Sequence, residues 1–96
     1  YTVASPEASA SILWRDSARK QDAATNMKIT AQDLLKFGII DAIVPEPTGG
    51  AHRDPEKAIQ WTGDAIETSL RSMDNMPPEA IRLAREEKFL AIGRRL

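Results

Sequence analysis

Cysteine is absent from this sequence, and histidine occurs only once, as His52. A chain without cysteine forms no disulfide, offers no thiolate to zinc and has no cysteine nucleophile. Protein metal sites need several ligands close together, and one histidine near the carboxylates of Glu46 and Asp54 does not meet that need. We therefore predict no metal site in this chain.

Sequence patterns that mark catalysis or phosphate binding are also missing. The chain has no GxSxG nucleophile turn, no GxxxxGK[ST] phosphate loop and no GxGxxG dinucleotide turn. A Ser-His-Asp triad could be assembled only by choosing a serine arbitrarily. Taken alone, the residues favour a structural role for His52, with its imidazole hydrogen-bonded within its own loop.

Neither the charges nor the apolar runs indicate a nucleic acid or a membrane as partner. The 13 basic and 14 acidic residues nearly cancel, and acidic residues interrupt the basic tail RLAREEKFLAIGRRL, whereas a nucleic-acid binder needs a basic face. No apolar run approaches membrane-spanning length, and no signal peptide is visible. The chain begins YTVASPE, with strand-like residues and no methionine, so we expect it to be cut from a longer protein.

Large apolar side chains are few for a chain of this length. Apolar residues make up 42% of the sequence, but 14 of its 96 residues are alanine. Alanine lets helices pack closely yet fills little volume, so the core that the chain can build is thin. We expect one small domain at most, with part of its apolar surface meant for a partner.

The sequence does contain clear signals for helix starts and ends. Ser5 with Pro6 predicts a helix start, Thr30 with Asp33 approximates a capping box, and Gly38 predicts a helix end. Later in the chain, one apolar stripe has helical spacing and consists of Ile59, Thr62, Ile66, Leu70 and Met73.

The overall prediction is four or five helices with two short strands. Aromatic and β-branched residues predict one strand over Tyr1 to Ala4 and another over IIDAIVP, which begins at Ile39. Between the helical halves, VPEPTGGAHRDPEK contains three prolines and two adjacent glycines. Paired glycines permit positive φ or let backbone N–H groups face a ligand, and the flanking prolines favour a rigid corner.

Two stretches, in this order, closely resemble the C-terminal end of the α subunit of acetyl-CoA carboxylase carboxyltransferase, a multi-subunit enzyme of bacteria and plastids. They are YTVASPEASASILW and KITAQDLLKFGIIDAIVPEPTGGAHRDPEKA. SPE before a small-residue helix occurs across the wider crotonase-like superfamily, whereas PEPTGGAHRDP is particular to this family. From Asp64 onward the motifs indicate only generic amphipathic helix.

The resemblance implies a mainly α fragment of an α/β crotonase-like fold, in which repeated ββα units form a spiral. Residues 1–44 would be the end of the crotonase-like core, and residues 45–54 a rigid Pro/Gly loop. Residues 55–96 would be the C-terminal helices, packed on the core or on a partner.

The resemblance also implies the reaction. The family transfers a carboxyl group from carboxybiotin, held on a biotin carboxyl carrier protein, to acetyl-CoA, and the malonyl-CoA formed enters fatty acid biosynthesis. Backbone N–H donors stabilise the oxyanions, and the glycine turn that supplies them is expected upstream of Tyr1. We therefore expect no catalytic residue in this chain, which would be inactive alone. A loop near biotin, or one with a structural role, would consist of Gly49, Gly50, Ala51, His52 and Arg53.

The expected partners and cofactors follow from the same resemblance. The partners would be the carboxyltransferase β subunit with its zinc ribbon, a second α subunit and the biotin carboxyl carrier protein. No cofactor would be bound by these residues, since biotin and acetyl-CoA are substrates of the whole complex and ATP is used by the partner biotin carboxylase. The compartment would be the bacterial cytoplasm or the plastid stroma.

Two alternatives remain open from the sequence. Another crotonase-like acyl-CoA enzyme, such as a hydratase or isomerase, would fit ITA..LL..GIIDAIVP but not PEPTGGAHRDP. A non-catalytic helical interaction module would fit the thin core, although a strand-like start without methionine argues against it.

Overall fold

The structure, a computed structural model, describes residues 2–94. Within that range the chain forms five α-helices and two short 3₁₀ turns, so the prediction of a mainly helical chain is confirmed. The helices are α1 (Pro6–Trp14), α2 (Lys20–Met27), α3 (Ala31–Lys36), α4 (Pro55–Arg71) and α5 (Pro78–Ala91). The 3₁₀ turns are Ser17–Arg19 and Ala51–Arg53.

The two predicted strands are not formed in residues 2–94. Residues 2–4 and residues 39–45 form bends and irregular chain. Tyr1, where the first strand was predicted to begin, lies outside the described residues. A strand exists through hydrogen bonds to a neighbouring strand, and no segment of the described chain pairs with either stretch. β-propensity favours pairing but does not supply the partner.

The described chain divides between Ile43 and Val44 into two compact units. In the first unit, α1 and α2 pack together with the 3₁₀ turn Ser17–Arg19 between them. Ala10 of α1 and Ala23 of α2 are fully buried. Alanine has no side chain beyond Cβ, so the close packing of these helices comes directly from their small residues.

The predicted helix signals act as expected. The Ser5 Oγ accepts a hydrogen bond from the Ala8 N–H at 3.1 Å and caps α1. The end of α3 is a Schellman motif, in which the N–H of Gly38 donates to the Leu35 carbonyl at 3.0 Å and the N–H of Ile39 to the Leu34 carbonyl at 2.9 Å. Gly38 adopts φ +73° there, a conformation that glycine adopts without steric cost.

In the second unit, α4 is the longest helix of the described chain and its apolar face is uncovered. Asp54 caps α4 by accepting the Lys57 N–H on its Oδ1 at 3.2 Å. Ile59, Ile66 and Leu70 of the predicted stripe are 72%, 55% and 58% exposed. Among residues 2–94, α5 makes no contact with α4, so the stripe lacks an apolar neighbour from that helix.

Candidate functional site

The Pro/Gly loop, residues 45–54, is built from two consecutive tight turns. The N–H of Gly50 donates to the Pro47 carbonyl at 2.9 Å and closes the first turn. Its third residue, Gly49, has φ +88°, as a type II turn requires. The second is the 3₁₀ turn Ala51–Arg53, in which the N–H of Arg53 donates to the Gly50 carbonyl at 3.0 Å. Pro47 is buried.

Both glycines are required by conformation and by contact. Gly50 has φ +111° and ψ 164°, a region that residues with a Cβ essentially do not occupy. A Cβ on Gly50 would lie 2.9 Å from Cε1 and Nδ1 of His52. A Cβ on Gly49 would lie 3.1 Å from the Arg53 Cγ. The loop therefore brings the His52 ring and the Arg53 side chain directly over the glycine backbone.

Glu46 makes a hydrogen bond that the sequence patterns did not reveal. Its Oε1 accepts the Ala51 N–H at 2.9 Å, five residues further along the chain. From the sequence, Glu46 was notable only as one of two carboxylates close to His52. No local motif marks this contact, because it depends on the path that Gly49 and Gly50 give to the backbone between the two residues.

The side chains of His52 and Arg53 are exposed at the surface of the loop. Within residues 2–94, neither side chain forms a hydrogen bond or an ion pair. This differs from the expectation that the His52 imidazole would hydrogen-bond its own loop, because the ring instead rests against Gly50. The Glu46 carboxylate accepts the Ala51 N–H in addition to the backbone hydrogen bonds that close the two turns.

The described residues include no group of three or more His, Cys, Asp or Glu side chains placed to hold a metal ion. No described helix has the length and apolar character needed to cross a membrane. What the site does offer is a pair of consecutive turns with one imidazole and one guanidinium exposed at their surface.

The profile of a known family, described as "Acetyl co-enzyme A carboxylase carboxyltransferase-like", matches residues 1–93. The chain belongs to this family. The resemblance inferred from the motifs is thereby confirmed, and it extends beyond Asp64 into the tail, where the motifs indicated only generic helix.

Three bacterial relatives share one name, acetyl-coenzyme A carboxylase carboxyl transferase subunit alpha. The chain is 67% identical over 96 residues to the protein of Xanthobacter autotrophicus and 62% identical over 96 residues to that of Methylobacterium nodulans. It is 60% identical over 94 residues, or 98% of the chain, to the protein of Caulobacter vibrioides. The first two alignments cover 100% of this chain but only 30% of each relative, and the third covers 29%. The chain thus spans less than a third of the length of these relatives.

Proposed function

We propose that this chain is the C-terminal part of a carboxyltransferase α subunit of bacterial acetyl-CoA carboxylase. The whole subunit, assembled with its partner, transfers a carboxyl group from carboxybiotin to acetyl-CoA and gives malonyl-CoA for fatty acid biosynthesis. The observation that carries this proposal is 67% identity across all 96 residues to a protein named as that subunit. The relatives are bacterial, which favours the bacterial cytoplasm over the plastid stroma.

In the whole subunit, the two segments that lack a strand partner would belong to a crotonase-like sheet. Residues 2–4 and 39–44 contain β-branched residues, which suit strands. Pairing with strands from the rest of the subunit would satisfy their backbone groups. This proposal is supported by the length of the relatives, which extend well beyond the aligned region.

The contribution of this chain to the reaction would be support rather than chemistry. Carboxyl transfer develops negative charge on an enolate oxygen and on the biotin oxygen, and rigid backbone N–H donors stabilise such charge. We assign those donors to the remainder of the α subunit and to the β subunit. The Pro/Gly loop would act as a structural corner beside the biotin end of the site, with His52 and Arg53 at its surface.

No cofactor is assigned to these 96 residues. Biotin would arrive on the biotin carboxyl carrier protein, acetyl-CoA would bind as substrate, and zinc would be held by the β subunit. ATP would be consumed by the partner biotin carboxylase. A second α subunit would complete the assembly.

The test is carboxyl transfer to acetyl-CoA by the full-length α subunit mixed with its β subunit and a carboxybiotin donor. We expect malonyl-CoA from the full-length subunit and none when the 96-residue chain replaces it. A correctly assembled full-length complex that forms no malonyl-CoA would refute the proposal. Activity from the 96-residue chain would instead refute the assignment of the oxyanion donors to the missing part.

A further inference from the structure

Glu46 of the Pro/Gly loop carries a carboxylate that the proposed reaction does not use. The Ala51 N–H donates to the Glu46 Oε1 at 2.9 Å, across five residues of the chain. The hydrogen bonds that cap α1 and α4 join residues only three apart, as is usual for helix caps. Glu46 therefore closes the loop on itself, and from five residues away it satisfies the first N–H of the 3₁₀ turn Ala51–Arg53, which has no partner within the turn.

The carboxylate of Glu46 and the imidazole of His52 both lie near the position that a side chain on Gly50 would occupy. A Cβ built on Gly50 would lie 2.9 Å from Nδ1 of His52 and 3.7 Å from the Glu46 Oε1. The glycine leaves open the space into which both groups project. Ala51, whose N–H the carboxylate binds, directly precedes His52 in the chain, so the hydrogen bond fixes the backbone from which the imidazole extends.

We propose that Glu46 is a positioning residue for carboxyl transfer, which acts through the Ala51 N–H to hold the His52 imidazole over Gly50 at the surface of the loop. His52 is then the group that contacts substrate or partner, and Glu46 determines the position of the His52 imidazole. The inference rests on the proposed function. A charged acceptor makes a stronger hydrogen bond to a backbone N–H than a neutral one, and the exposed imidazole has no other restraint from a hydrogen bond within the described residues.

The experiment uses the full-length α subunit assembled with its β subunit, and compares the Glu46→Ala and Glu46→Gln variants. Glu46→Ala removes the acceptor, and we expect kcat/KM to fall about 10-fold because a misplaced contact group loses transition-state binding. Glu46→Gln keeps an oxygen that accepts the Ala51 N–H, so its kcat/KM should stay within about twofold of the wild type. The control is Glu56→Ala, which removes an exposed carboxylate in the first turn of α4 and should leave kcat/KM unchanged.

A double-mutant cycle with His52→Ala separates positioning from simple structural support. If Glu46 acts through His52, then Glu46→Ala causes no further loss of kcat/KM in a subunit that already carries His52→Ala. Hydrogen exchange of a peptide that contains Ala51 reports the hydrogen bond between the Ala51 N–H and Glu46. The exchange rate should rise in Glu46→Ala but not in Glu46→Gln. The thermal unfolding midpoint of the assembled complex should not change.

The outcomes distinguish the two proposals. An active wild-type complex whose Glu46→Ala variant is equally active would overturn the positioning role alone. The positioning role would also be overturned if Glu46→Ala lowered kcat/KM by the same factor with and without His52→Ala. A lowered unfolding midpoint that accounts for the lost activity would overturn it as well. An inactive wild-type complex would overturn the proposed function together with this inference.

Discussion

Single residues in the Pro/Gly loop are fixed by backbone geometry more than by burial. Gly50 adopts φ +111°, and the His52 ring fills the space beside it. Gly63, in the middle of α4, differs in both respects. It is helical, and a Cβ added there would meet no atom within 4 Å beyond its chain neighbours and the backbone of its own helix. The two glycines therefore predict opposite effects of adding a side chain.

The first prediction concerns Gly50→Val in the full-length subunit. We expect impaired assembly or activity, since valine would be strained at this φ by about 1–3 kcal/mol and would displace the His52 ring. Gly63→Ala is the matched control, and should raise the free energy of unfolding by about 0.5–1 kcal/mol. Assembly by gel filtration, malonyl-CoA formation and urea unfolding measure the two variants. Normal assembly and turnover of Gly50→Val would show that the loop is dispensable.

Helices of this chain begin and end through local contacts. The Thr30 hydroxyl caps α3 by accepting the Asp33 N–H at 3.2 Å, and it donates to the Asp33 Oδ2 at 2.7 Å. In a full capping box the longer Glu or Gln side chain reaches back to the backbone N–H of the cap residue. Here the shorter aspartate bonds to the threonine hydroxyl instead, and the cap is still made.

The start of α4 allows capping to be separated from ion pairing. Asp54 accepts the Lys57 N–H, and its Oδ2 lies 3.5 Å from the Lys57 Nζ in an exposed ion pair. Asp54→Ala should lower the free energy of unfolding by about 1 kcal/mol because the cap is lost. Asp54→Asn keeps a capping oxygen and loses only the ion pair, which at such exposure is worth less than about 1 kcal/mol. Urea unfolding of the full-length subunit would contradict this if both variants were equally destabilised.

The helices could be predicted from the sequence because their signals are local. Ser5, Thr30 and Gly38 each mark a boundary through contacts within a few residues, and the structure shows those contacts. The two predicted strands are not formed in residues 2–94, and the sequence could not reveal this in advance. A strand needs a partner strand, which no local pattern supplies. The Glu46 contact was missed for a related reason, since it depends on the path of the backbone through Gly49 and Gly50.

Over the whole described chain, the buried interior is very small. The buried residues of residues 2–94 are Ala10, Ala23 and Pro47, all with little side-chain volume. Large apolar side chains remain exposed on the longer helices, at Ile59, Ile66, Leu70, Phe89 and Leu90. Because burial of large apolar side chains is the main stabilising contribution to folding, the residues buried within the described chain contribute little stability.

The isolated 96-residue chain should accordingly be marginally stable or self-associate. Exposed apolar surface on α4 would be removed from water by association with another copy. Sedimentation velocity should show concentration-dependent association, and thermal unfolding should be broad. Ile66→Gln should weaken the association, whereas Thr68→Gln, which lies away from the apolar stripe, should not. A monomer with a sharp unfolding transition at high temperature would contradict the prediction.

The segment of chain at the boundary between the two units, residues 42–46, has a further consequence. Residues 42–46 form no hydrogen bond between backbone groups of the described chain, and Ile43 and Val44 are each 38% exposed. Proteases bind their substrates as extended chain, and they cut where such chain is accessible and free of backbone hydrogen bonds. In the isolated chain this stretch is the natural cleavage point, whereas incorporation into a sheet of the whole subunit would protect it, so resistance to a protease would report correct assembly.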